Sequence, residues 1–114
     1  RHSTDWVLRL GDGTAESHEK MQTAIYELWG FVPEMFEMDA TDEAMLTAGI
    51  GVDVARLRPA WDAAVNAVLT EATLRRPEDS WSVRGSREGK HSEHLGYLLA
   101  ELQFLQRAYP DAKW

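Results

Sequence analysis

Apolar residues recur at steps of three and four through most of this chain, and no segment shows sustained alternation. The terminal run is the strongest case: Leu95, Leu98, Leu99, Leu102, Leu105 and Tyr109 line one side of a helical wheel. Read as one helix, residues 91 to 109 would span about 28 Å. A second stripe takes in Met21, Ile25, Leu28, Trp29, Val32, Met35 and Phe36. A third takes in Val54, Leu57, Trp61, Val65, Val68, Leu69 and Ala72. Long amphipathic helices joined by short breaks lead to an all-α bundle in a single helical domain, residues 1–114. Three such helices leave an apolar groove open, to be filled by further helices of the same chain or by another subunit.

Glycine and proline set the expected boundaries. Arg1 to Leu10 reads as the tail of a helix already under way, with no initiator Met and nothing before it to cap it, as in a fragment of a longer chain. Gly11-Asp-Gly-Thr14 breaks that helix by supplying left-handed backbone, and Asp12 or Thr14 caps the next one. Pro33, with Gly30 before it, kinks the second helix or ends it a turn later. Thr41 is the expected cap of a short turn through Leu46, which Gly49 and Gly51 close. Asp53 is the expected cap of the third stripe, with Pro59 tolerated in its first turns. That helix is expected to end near Arg75 and Arg76, two cations beside a negative helix terminus. Residues 77 to 90 then form a polar connection.

Composition narrows the function classes. With 12 basic and 19 acidic side chains the formal net charge is −7, which argues against nucleic acid as a partner. The chain has no cysteine, which removes disulfides and thiolate chemistry and fits a reducing, cytoplasmic setting. No apolar run approaches the roughly 20 residues that cross a bilayer, and the charged start does not read as a signal peptide, so no membrane partner is expected.

The chemistry-bearing residues are sparse. A di-iron bundle uses Glu-x-x-His pairs whose spacing sets both side chains on one inward face. One formal match occurs, Glu88-Gly-Lys-His91, but Gly89 interrupts it and no second match exists. His91 and His94 could hold zinc, yet no third ligand is marked by spacing. Hydrogen bonds that fix a loop-to-helix junction are the better reading of both histidines, and His18 reads as a first-turn structural residue. Arg84-Gly-Ser-Arg87 offers two cations and free amides to a phosphate, such as that of coenzyme A; a solvated loop is the plainer reading. Five tryptophans suit core or interface anchoring, with Trp29, Trp81 and Trp114 the candidates for a partner interface.

Several runs resemble, in order, the C subunit family of the bacterial phenylacetyl-CoA epoxidase, also called phenylacetate-CoA oxygenase. They include Asp5-Trp-Val-Leu-Arg-Leu-Gly-Asp-Gly-Thr14, Leu28-Trp29, Leu57-Arg-Pro-Ala-Trp61 and Glu71-Ala-Thr-Leu74. The terminal run, with His91, Glu93-His-Leu-Gly-Tyr-Leu-Leu-Ala-Glu101 and Gln106-Arg107, is the most specific. The resemblance covers nearly the whole chain and implies the C-terminal half of a ferritin-like subunit.

That resemblance further implies a complex-forming, noncatalytic component of a monooxygenase. The family complex epoxidises the aromatic ring of phenylacetyl-CoA with dioxygen and electrons from a reductase. The di-iron centre belongs to the partnering catalytic A subunit, so no cofactor and no catalytic residue are expected in this chain. The expected partners are that A subunit and the N-terminal half of the same polypeptide. Two alternatives stand: a di-iron oxygenase or ferritin-like metal protein whose remaining ligands precede Arg1, and a helical interaction module outside aromatic catabolism.

Overall fold

In a computed structural model, residues 1–113 are described, and among them every regular element is helical. The helices are α1 (His2–Gly11), α2 (Ala15–Trp29), α3 (Ala40–Thr47), α4 (Arg58–Glu71), α5 (His94–Leu102) and α6 (Phe104–Ala108), with short 3-10 turns between several of them. Contacts gather into two compact units, one of residues Arg1–Val83 and one from Arg84 onward.

In the first unit, α1 packs on both α2 and α4. Thr14 caps α2 by accepting from the Ser17 amide, and the Ser17 hydroxyl reaches back to the carbonyl of Leu10 at 2.8 Å. The break at Gly11 and Gly13 therefore falls where expected, but its physical reason differs. Neither glycine adopts positive φ. A Cβ at Gly11 would stand 2.5 Å from the Ala72 carbonyl and 2.8 Å from the Ala72 side chain, so the missing side chain lets α1 approach the end of α4.

Trp29, Leu69, Ala72 and Leu74 are the buried apolar core. Val7, Leu8, Met21, Ile25, Val32, Trp61 and Val65 pack against it half-buried. Gln22 is the buried polar residue of this unit. Its amide donates to the Arg75 carbonyl at 2.9 Å and its oxygen accepts from the Arg75 amide at 2.8 Å, which staples α2 to the segment after α4.

Four boundaries correct the sequence reading. First, α2 stops at Trp29, four residues before Pro33, through tight turns in which Phe31 and Val32 donate to the carbonyls of Leu28 and Trp29. Pro33 opens a 3-10 turn instead, where its missing amide is harmless. Second, Asp39, not Thr41, caps α3. Its carboxylate accepts from the amides of Thr41 and Asp42, and the Asp42 carboxylate accepts from the Asp39 amide. Third, Asp53 caps a 3-10 turn, Val54–Leu57, that runs directly into α4. Fourth, α4 ends at Glu71 and not at the arginine pair. Leu74 donates back to Leu69 and Thr73 to Thr70, with Thr73 at φ 59, a closing motif that glycine usually serves. The arginines are spent on side-chain and backbone contacts farther along.

The second unit departs furthest from expectation. A 3-10 turn, Ser86–Glu88, lies between Gly85 at φ 104 and Gly89 at φ 80, both left-handed positions suited to glycine. The single long terminal helix is two pieces, because the backbone at Gln103 relaxes to φ −99 and ψ 0 before α6 restarts. None of the residues described from 84 onward is buried. The stripe expected to be buried is open: Leu98 is 59% exposed, Leu102 72% and Tyr109 62%. Periodicity identifies an apolar face, but the cover that such a face needs is a tertiary property.

Candidate functional site

The feature of the first unit best suited to function is a groove. Val7 from α1, Met21, Ile25 and Leu28 from α2, and Val65 and Val68 from α4 line an open depression of about 450 Å³, with Trp29 and Leu69 in its floor. The helical period places these residues on facing sides of three packed helices. Ser3 and Thr4 at one end are its polar lining residues. A surface of this kind gains free energy by excluding water from apolar area. It presents no carboxylate, imidazole or guanidinium to a bound group, so its own lining supplies no general acid or base. Leu28, 63% exposed, stands on its rim.

A charged network fixes the floor of the groove. The Trp29 indole donates to Asp79 at 2.8 Å. Asp79 accepts in turn from Arg58 at 2.7 Å, and Arg58 also donates to Asp62 at 3.0 Å. Arg76 donates to Asp62 at 2.7 Å and to Asn66 at 2.9 Å. The guanidinium of Arg58 lies over Phe36 and Trp61, at 5.1 and 5.8 Å from their ring centres, and that of Arg76 over Trp29 at 5.1 Å. Trp29 and Trp61 pack at a tilt, 5.9 Å between centroids. Positive and negative groups alternate here, so the charges largely neutralise one another and hold α4 to the chain after it.

The ionisation states follow from these contacts. The hydrogen bond from Trp29 lowers the Asp79 carboxyl most; partial burial works the other way, and Arg58 adds a further lowering. Burial pushes Asp62 up, but hydrogen bonds from Arg76 and Arg58 outweigh it and leave Asp62 below the ordinary carboxylate value. Burial lowers Arg58, and its two carboxylate partners more than restore it. Arg58, Asp62 and Asp79 therefore stay charged throughout the neutral range.

The sequence missed this network. One link was visible, since Arg58 and Asp62 stand four apart on a helix. Asp79 and Arg76 come from irregular chain after α4, where no periodicity announces a partner.

The residues singled out from the sequence are placed as follows. Glu88 ends the 3-10 turn and pairs with Lys90 at 3.2 Å. Gly89 turns left-handed before His91, which lies outside any helix, so Glu88 and His91 lack the helical register that a ligand pair would need. His94 opens α5. Both histidines are exposed, and among the described residues neither ring makes a hydrogen bond that would fix the junction. Among the described residues no three His, Cys, Asp or Glu side chains gather as a metal ion would require. Arg84 and Arg87 are exposed at the 3-10 turn. Trp29, 5% exposed, belongs to this unit's own core. Trp81 is 44% exposed and covers Gly30, where its ring occupies the space a Cβ would take. Trp114 lies outside the described residues. His18 does serve structure: its Nδ1 stands 2.7 Å from the Gly11 carbonyl at the end of α1.

The described residues thus form a helical protein whose first unit carries an open apolar groove. The comparison with known proteins is specific. The family model described as "Phenylacetic acid catabolic protein" matches residues 1–114, and the chain belongs to this family, whose fold is a ferritin-like helical bundle. The chain is 47% identical over 114 residues to the C subunit of the 1,2-phenylacetyl-CoA epoxidase of Escherichia coli (strain K12). All of the chain is covered, against 46% of that relative, so the chain spans about half the length of the curated protein it matches. No helix among the described residues is long and apolar enough to cross a membrane.

Proposed function

We propose that this chain is part of a structural, noncatalytic subunit of a multicomponent phenylacetyl-CoA ring epoxidase acting in aerobic phenylacetate degradation in the cytoplasm. The observation that carries the reading is the 47% identity, sustained over the whole chain, to a protein named as the C subunit of that epoxidase. The physical character of the chain supports it. What the first unit offers is an open, apolar groove with a hydrogen-bonded floor, suited to burying helical surface and not to moving protons. The partner of the subunit is the catalytic subunit that holds the di-iron centre, and the remainder of the same polypeptide completes the bundle. In this reading the subunit binds and orients its neighbour, while dioxygen activation and ring oxidation take place on the partner.

The experiment is co-expression of the complete protein carrying this chain with the catalytic subunit, followed by affinity purification through a tag on the former. The expected result is a stable complex that epoxidises phenylacetyl-CoA when the reductase component is supplied. Elution of the tagged protein alone, at concentrations where the catalytic subunit is soluble and active by itself, would overturn the proposal.

A further inference from the structure

We draw no further inference here: the strongest candidate, the open apolar face that Tyr97, Leu98, Leu102, Phe104 and Leu105 present on α5 and α6, has nothing in the structure to show what covers it.

Discussion

The two units of this chain carry similar helical stripes and end in different physical states. Residues 1 to 83 bury Trp29, Leu69, Ala72 and Leu74, satisfy Gln22 on both of its polar atoms, and link two arginines, two aspartates and an indole in one network. From residue 84 onward the stripe is just as regular, yet none of the described residues is buried. An amphipathic period is thus a demand for a cover and not the cover itself. In the first unit three helices meet, and the demand is partly met. What remains unmet there is the groove, and in the second unit it is the whole face.

Trp29 is where the first unit is most vulnerable. Replacing Trp29→Ala removes an indole that is 5% exposed, packs on Trp61, lies beneath Arg76 and donates to Asp79. Loss of about 3–5 kcal/mol is expected, because the site cannot collapse around so large a void. Urea titration followed by far-ultraviolet circular dichroism reads it. An effect below about 1 kcal/mol would mean that Trp29 is not a core residue and that the two units differ less than their burial implies.

An intermediate effect is expected in acid. Asp62 and Asp79 sit below the ordinary carboxylate value of 3.8 in the folded chain. A lowered carboxylate stabilises the fold above its unfolded value, and that contribution is lost as pH falls through the lowered folded value. The contribution of these two carboxylates to the first unit should hold from neutrality down to about pH 4 and be lost below. The variant Asp79→Asn should flatten that fall, because one of the linked protons is gone. Denaturant midpoints at a series of pH values check both. A slope unchanged by Asp79→Asn would remove Asp79 from the network's stabilising role.

The smallest effect belongs to the second unit. Leu102 is 72% exposed, so Leu102→Ala in the 114-residue polypeptide should change stability by no more than about 0.5 kcal/mol. Hydrogen exchange probes the same contrast: amides of α2 and α4 should be protected well beyond those of α5 and α6. Equal protection in both would show that the terminal helices are covered within this chain.

How much was legible beforehand follows the same division. The all-helical class was readable because steps of three and four fix which residues share a face, whatever covers it. Thr14, one of the two caps offered with Asp12, was readable because a side-chain acceptor at a helix start is a local chemical requirement, while Asp53 caps the 3-10 turn before α4 and not α4 itself. Asp39 was missed for Thr41, two plausible caps being too close for sequence to separate them. The early end of α4 was missed because a threonine, not a glycine, holds the left-handed turn at residue 73. Gly11 was marked for its backbone freedom, although its service is the close approach of Ala72, far along the chain. The expected groove was one left open by the three long stripes, the terminal one included; the groove found lies instead among α1, α2 and α4, and its floor depends on Asp79 and Arg76, whose meeting with α4 no local pattern encodes.

Everything proposed for the function rests on one point: the protein carrying this chain binds the oxidising subunit and does not itself hold the metal. The most direct test is iron analysis of the complete protein, purified apart from its partner under conditions that load the catalytic subunit, alongside the complex of the two. Iron should track the catalytic subunit, with a negligible amount on the separated protein. Stoichiometric iron on the separated protein, with the absorption of an oxo-bridged pair, would refute the proposal and make the chain half of a di-iron oxygenase in its own right.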